Sequence, residues 1–431
     1  MLTYLTIAVI VLLCAASARG HFLFVHVLEG DHSRIELHFA ESAWDFSASD
    51  RMVGLVADAR SWAPQHGSLS FERRPYAMVA ELPEGGSTAC ATFTYGIMRR
   101  GGHFLLEYHA KGVSGIEAAS APTALRAEIV AVRRGAALEL TVLFDGQPAA
   151  NAELVVPDPI AGSRTTTTDD QGRLTIPVPA TPVYSFRAMV AEATHGTHDG
   201  TEYDEARHYT TLTVHEDPAL GGRGSDRLAA AVLADALHAS PAFPFAADGW
   251  SADVSGQIDG NRVGGLLTSA QGETGVGLGS VAPDDVVNAL RMIIGLGYRS
   301  HASGSTIGFA SHRAAGASAR IAIPDAGIEL HVQDRRVRSV RYSGGDSETR
   351  IDVAGWQEVG PSTVVPSRLI KTEFGPDASI RSVTIIEPTY DRTDAGVVPT
   401  AFRGTRIEDA STETALTLRV ANARALEPAA R

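Results

Sequence analysis

Most of the first half of the chain alternates between hydrophobic and polar residues with a period of two. Between residues 21 and 214 the alternation recurs in short runs that Gly, Pro and Asp separate. Successive side chains of a strand point to opposite faces of a sheet, so this pattern predicts a series of half-buried strands. The clearest runs are HFLFVHVL, RIELHFA, YAMVAEL, ACATFTYGI, HFLLEYHA, LELTVLF, YSFRAMVAE and HYTTLTV. Many short strands at this spacing are typical of antiparallel β-sandwiches.

We predict two such sandwiches in tandem, at residues 21–120 and 121–216. In the second, FDGQPAANAELVV and TDDQGRLTIPVP carry turn residues, Asp-Gly and Asp-Asp-Gln-Gly, between paired strands. The Pro, the glycines and the charges of residues 217–226 predict a linker after the second sandwich.

The composition changes after the linker, which indicates a different kind of domain at residues 227–431. DRLAAAVLADALHA has the propensity and spacing of a helix. A second helix is predicted in PDDVVNALRMIIGLGY, with Pro283 at its start. Because the rest alternates again, we predict an α+β domain with two helices and a meandering sheet that curls into a half-barrel. The predicted fold class of the whole chain is therefore mainly β.

An apolar segment at the start of the chain predicts export. Leu5–Ala16 is too short to cross a bilayer, and small residues follow it. We therefore predict a signal peptide at residues 1–20, a periplasmic or secreted protein, and no transmembrane segment in the mature chain. Cleavage leaves either Arg19 or His21 as the first residue, and the cleavage rules alone slightly favour Arg19.

Charge and cysteine content narrow the possible partners. The formal net charge of −13 argues against nucleic acid as a partner. Cys14 lies in the predicted signal peptide, so Cys90 is alone in the mature chain and is predicted to be a core residue. Sequence signatures of nucleophilic catalysis and of nucleotide binding are absent, which favours a non-enzymatic protein.

Histidine is unusually concentrated in the first half, where eleven of the 15 histidines precede residue 216. Neutral imidazole is a common ligand for transition metals. In HFLLEYHA, the polar residues His103, Glu107 and His109 share one face of the predicted strand. A solvated face and a metal site both explain this row, and the sequence leaves the two open.

The stretch from Val183 to Val214 predicts a hairpin with polar residues at one end of its core face. Glu192 continues an apolar row on the first strand, and His208 does the same on the returning strand. His195 and His198 lie in the loop between the two strands. If the strands pair, Glu192 and His208 come close together, and a buried carboxylate needs a partner. The two residues either satisfy each other or belong to a metal site or another ligand site.

These motifs also resemble a known family. HFLFV, GGHFLLEYHAKG, DGQPAANAELVV, TDDQGRLTIPVP and RHYTTLTV are similar to an uncharacterised exported bacterial family that is described as the periplasmic component of nickel or cobalt uptake. The resemblance covers about residues 21–216 and implies a mature chain that begins at His21. Residues 121–216 also resemble immunoglobulin-like modules of the carboxypeptidase-regulatory type. Residues 226–431 are similar to a second uncharacterised domain and to lipoprotein-carrier half-barrels.

An N-terminal His21 offers both its amine and its ring to one ion, and His208 would add a second imidazole. Glu192, His195 and His198 complete the set of candidate ligands for copper, nickel or cobalt. The leading hypothesis is an exported, non-enzymatic metal-binding protein whose further partner is an envelope protein or transporter. Oxidative copper chemistry ranks low, because no flat aromatic face for a substrate was found.

Two other functions stay open. The first is an envelope structural or interaction protein whose sandwiches bind a protein or glycan without metal. The second is a carrier of lipid or another small apolar ligand in the C-terminal half-barrel, in a cavity lined by the predicted helix at 283–298.

Overall fold

The computed structural model describes most of the chain from Gly20 onward. The described residues are 20–29, 33–44, 50–99, 102–158, 162–179, 181–217, 220–239, 250–270, 273–278, 302, 304–310, 318–344, 347–360, 363–393, 396–408 and 412–425. The predicted signal peptide up to residue 19 and the predicted helix at 283–298 lie outside these ranges.

The predicted mainly-β, sandwich-like fold is confirmed. The N-terminal elements are β1 Phe22–Leu28, β2 Arg34–Ala40, α1 Asp50–Leu55, β3 Arg60–Ala63, β4 Gly67–Ser68, β5 Glu72–Arg73, β6 Met78–Glu81, β7 Thr88–Met98 and β8 Phe104–Ser114, followed by a 3₁₀ turn at Ile116–Ser120. The next strands are β9 Ala127–Arg134, β10 Ala137–Phe144, β11 Gln147–Pro148, β12 Glu153–Asp158, β13 Gly162–Thr167, β14 Arg173–Pro177, β15 Val183–Glu192, β16 Gly196–His198, β17 Thr201–Tyr203 and β18 Glu205–His215.

One sheet runs through both of the predicted sandwich units. Its order is β13-β12-β15-β18-β8-β7-β3-β4, so strands from the two units are neighbours. The junction is the pairing of β8 with β18, which is parallel and runs from Phe104 opposite Glu205 to Ser114 opposite His215. A parallel pair needs a long connection, and here the strands β9 to β17 supply it. The two units are thus joined through eleven consecutive residue pairs.

A smaller sheet covers each face of this shared sheet. The β1-β2-β6-β5 sheet packs on the face that carries Tyr108 and Tyr209. The approach is close, because a Cβ atom on Gly112 would lie only 2.3 Å from the Val25 carbonyl oxygen. The sheet of β9, β10, β11 and β14 packs on the opposite face, against Phe186 and Leu212. The shared sheet therefore separates two hydrophobic cores.

The C-terminal region is a long antiparallel meander around one described helix. Its elements are α2 Arg227–Ala239, β19 Trp250–Ile258, β20 Asn261–Ala270, β21 Glu273–Gly277, β22 Gly308–Phe309, β23 Ser318–Ile323, β24 Ile328–Gln333, β25 Arg336–Gly344, β26 Ser347–Gly360, β27 Thr363–Phe374, β28 Ile380–Thr393, β29 Gly396–Glu408 and β30 Thr412–Ala425. Strands β22 to β30 are neighbours in chain order, and β19 to β21 extend the sheet beyond β30. Leu228 and Leu233 of α2 are fully buried in the same core as the sheet residues.

Polar contacts anchor α2 at its start and again further along. The Asp226 carboxylate accepts hydrogen bonds from the backbone N–H groups of Leu228 and Ala229, as an N-cap residue does. The same carboxylate pairs with Arg34 of β2 at 3.0 Å. Later in the helix, the buried Asp235 accepts two hydrogen bonds of 2.7 Å from Arg335. None of the helices in the described ranges is long and apolar enough to cross a membrane.

Candidate metal centre

His208 lies where three strands of the shared sheet meet. On β18 it is paired with Val190 of β15 on one side and with Glu107 of β8 on the other. Its side chain points to the face covered by β9 and β10, and its ring lies 4.9 Å from that of Phe144. The imidazole is completely buried. The predicted hairpin between residues 183 and 214 is present, and it brings His208 to Glu192 as its pattern indicated.

Three possible ligand atoms lie close together, and one of them is Nδ1 of His208. Its Nδ1 lies 3.0 Å from Oε2 of Glu107 and 3.3 Å from Nε2 of His109. Among the described residues, Glu107, His109 and His208 form a group whose ligand atoms all lie within 4.8 Å of one another. Ligand atoms about 2.0–2.1 Å from one tetrahedral ion are about 3.3 Å apart. The spacing of this group therefore suits a single small cation.

Both nitrogens of His208 face carboxylates. While Nδ1 faces Glu107, Nε2 lies 3.1 Å from Oε2 of Glu192. A neutral imidazole has only one N–H group to donate. That single N–H group serves only one of the two carboxylates, and the Arg126 guanidinium adds positive charge beside both, at 2.8 Å from Glu192 and 4.0 Å from Glu107.

The neighbouring ionisable groups are held in the states that a metal ligand requires. The hydrogen bond from His208 outweighs burial and keeps the pKa of Glu107 below its usual value. Burial, reinforced by the adjacent His208, lowers the pKa of His109 to about 4. At neutral pH Glu107 is therefore a carboxylate and His109 is a neutral imidazole. Nδ1 of His109 is buried and has no hydrogen-bond partner among the described residues.

Arg126 closes the outer side of the group. Its guanidinium donates to Glu192 at 2.8 Å and to Asp145 at 3.1 Å, and it lies over the Phe144 ring. Burial opposes ionisation of Glu192, but the hydrogen bonds from Arg126 and His208 outweigh it and lower its pKa. Glu192 is therefore a carboxylate that orients His208, in the outer position that often supports a metal-bound imidazole.

The structure does not bring the other predicted ligands to this place. His21 precedes β1 and has its ring 5.8 Å from Phe39, in the layer on the opposite face of the shared sheet from His208. His195 is exposed, and His198 pairs across the separate β16–β17 hairpin with Thr201. Of the predicted ligands, only His208 and Glu192 therefore lie at this centre. The others, which do not, are His21, His195 and His198.

The other two members of the group come from the polar row of β8. Strand alternation had placed His103, Glu107 and His109 on one face, and Glu107 and His109 lie next to His208 while His103 is exposed. Alternation alone supplied a signal for these two residues. No sequence pattern indicated that Arg126 belongs to the site, because it lies just before β9 and outside any periodic run.

Two further buried groups lie outside this centre. His26 Nδ1 is 2.8 Å from His215 Nε2, and His38 Nε2 is 2.9 Å from Glu36, all at the junction of β1, β2 and the end of β18. Cys90 is buried in β7, as expected of a core residue, and burial raises the pKa of its thiol to about 12. That thiol therefore stays protonated and is a poor metal ligand.

No protein family, no curated protein sequence and no solved structure matches this chain. The resemblance to an exported nickel- or cobalt-uptake family therefore stays a prediction.

Proposed function

We propose that this chain is an exported, non-enzymatic protein that binds one divalent transition metal ion through Glu107, His109 and His208. The observation that carries the proposal is the convergence of three ligand atoms from two strands, with His208 Nδ1 at 3.0 and 3.3 Å from the other two. Export is supported by the apolar segment Leu5–Ala16 and the small residues after it.

The donor set defines the class of ion. Two imidazoles and one carboxylate suit borderline ions such as copper(II), nickel(II), cobalt(II) and zinc(II), whereas calcium and magnesium prefer oxygen ligands alone. Glu192 would hold the far nitrogen of His208, which fixes the tautomer that presents Nδ1 to the ion. The proposal keeps copper, nickel and cobalt from the sequence hypothesis and moves the site from His21 to the β8–β18 pair.

Metal titration of the chelator-treated protein tests the proposal. Cobalt(II) is the probe, because its visible absorption reports the number and kind of ligands, and calorimetry gives the stoichiometry. We expect one equivalent to bind, and His109→Ala and His208→Ala each to weaken binding at least 100-fold. The matched control is the double variant His195→Ala/His198→Ala, which removes two histidines outside the group and should bind like the wild type.

Two results would contradict the proposal. One is the absence of stoichiometric cobalt, nickel, copper or zinc binding by the folded protein. The other is binding that only the control variant abolishes. The first result would favour the alternative of an envelope interaction protein whose buried His208 is held by Glu107 and Glu192, and the second would move the metal site to His195 and His198.

A further inference from the structure

A pocket of about 470 Å³ opens directly in front of the candidate metal centre. Glu107 and His109 form part of its wall, so two of the three proposed ligands border it. Most of the remaining wall comes from β3, β4, β7 and the segment before β9, and it includes Arg60, Trp62 and Arg126. A pocket next to a metal centre with three protein ligands leaves room for a further ligand on the ion.

The charges that line this pocket are unequal. Two arginines border it but only one carboxylate, Glu107, and that carboxylate is assigned to the metal. Arg126 is already neutralised by Glu192 and Asp145. Arg60 is different, because no carboxylate of the described residues lies within 4.0 Å of its guanidinium, which instead lies 5.7 Å from the Trp62 ring. With a divalent ion bound, the pocket carries an excess of positive charge.

The rest of the wall favours an organic anion over an inorganic one. The ring of Trp62 gives the pocket aromatic surface, while Thr92 and Thr94 add hydroxyl groups. An inorganic phosphate would use the charge but not the aromatic surface. A carboxylate with a short carbon skeleton uses both, since its body contacts the Trp62 ring and its oxygens face cationic groups.

We propose that this pocket binds a small organic carboxylate, which Arg60 recognises and whose oxygens complete the coordination of the metal ion. This inference rests on the proposed function and adds the class of the second ligand. It makes the bound species a metal carboxylate complex rather than a bare ion. Arg60 acts as the specificity-determining residue, because it is the cation in the described wall that has no carboxylate partner.

Titration of the cobalt-loaded protein with succinate tests the inference, with succinamide as the uncharged analogue and inorganic phosphate as the competing anion. We expect succinate to change the visible spectrum and to bind more tightly than phosphate, and succinamide to have no effect. Arg60→Gln should weaken succinate binding about 10- to 100-fold, the effect of one charged hydrogen bond, and leave cobalt affinity unchanged. Arg74→Gln, at an exposed arginine that pairs with Glu72, is the control.

The possible outcomes separate this inference from the proposed function. If cobalt binds but succinate does not perturb it, or Arg60→Gln binds succinate like the wild type, the carboxylate pocket is wrong and the metal centre stands. If phosphate binds as tightly as succinate, the carboxylate class is wrong. If cobalt does not bind, the metal centre fails, and calorimetry of succinate with the metal-free protein decides the pocket: binding that Arg60→Gln weakens supports it, and no binding overturns it.

Discussion

His208 of β18 and Glu107 of β8 face each other across a parallel strand pair, with the imidazole Nδ1 3.0 Å from the carboxylate Oε2. The two strands come from different predicted sandwich units, and the contact depends on the sheet that joins them. The candidate metal centre is therefore a feature of the shared sheet. Neither unit contains the three ligands by itself.

Glu192→Gln is expected to weaken metal binding without abolishing it. Glu192 contacts the far nitrogen of His208 at 3.1 Å, so it orients the ligand and does not replace it. Loss of such an outer carboxylate typically reduces metal affinity about 10- to 100-fold. Competition of the protein with a chromophoric chelator for zinc(II) measures the change. A loss as large as that of His208→Ala would instead make Glu192 a direct ligand.

His21→Ala is expected to leave the metal affinity of the Glu107–His109–His208 group unchanged. The eight-stranded sheet lies between His21 and His208, because β1 packs on one face and His208 points to the other. The same zinc competition, performed on protein whose first residue has been determined by intact mass, makes the comparison. If the wild-type chain begins at His21 and the variant loses the metal, the site predicted from the sequence, in which the amine and ring of His21 bind the ion, would be supported.

The mainly-β fold was predictable because its signal is local. A period of two marks a strand within a few residues, and the turn residues mark its ends. The parallel pairing of β8 with β18 left no such mark, since it joins segments about 100 residues apart and depends on packing against two other layers. Two tandem sandwiches and one shared sheet have the same local pattern, so the sequence could not distinguish them.

The residues of the candidate centre were likewise predictable only where they are close in sequence. Glu192 and His208 were predicted to meet because they flank one hairpin, and they do. Glu107 and His109 were recognised as a polar row, but their proximity to His208 required the β8–β18 pairing. His21 was predicted to be a ligand because of the family resemblance and because a free amine can bind metal. Neither argument indicates the face of the sheet on which His21 lies.

His215→Gln is expected to make the protein less sensitive to acid. Burial lowers the pKa of His215 to about 3, against about 6.5 in an unfolded chain. Between these values the unfolded state binds a proton that the folded state does not, so stability falls as the pH falls. From pH 7 to pH 4 this residue accounts for a loss of about 3 kcal/mol. Urea unfolding at both pH values should show a correspondingly smaller difference in the variant.

The surface residue His66 provides the comparison for that experiment. His66 is exposed, so His66→Gln should keep the full difference in unfolding free energy between pH 7 and pH 4. An equal pH dependence in His215→Gln and His66→Gln would show that the buried histidine is not the source of the acid sensitivity.

Lys111→Met is expected to destabilise the fold strongly. Lys111 is one of only two lysines in the chain. It lies on β8, and its side chain is fully buried under the segment after the 3₁₀ turn. Its ammonium group donates to Glu128 at 2.8 Å and to two backbone carbonyl groups, the nearer being that of Ala121 at 2.7 Å. Removal of one partner of a buried ion pair leaves an uncompensated charge and typically costs about 3–5 kcal/mol. Urea denaturation measures this loss.

The double variant Lys111→Met/Glu128→Gln separates charge from packing. The side-chain amide oxygen introduced by Glu128→Gln would still accept the hydrogen bond that Glu128 receives from the backbone N–H of Thr123, while the buried negative charge is gone. Because a buried pair replaced as a whole costs far less than a pair broken on one side, the double variant should recover most of the stability that Lys111→Met loses. If both variants are equally unstable, the cost comes from the lost hydrogen bonds and packing of Lys111, and the buried charge of Glu128 contributes little.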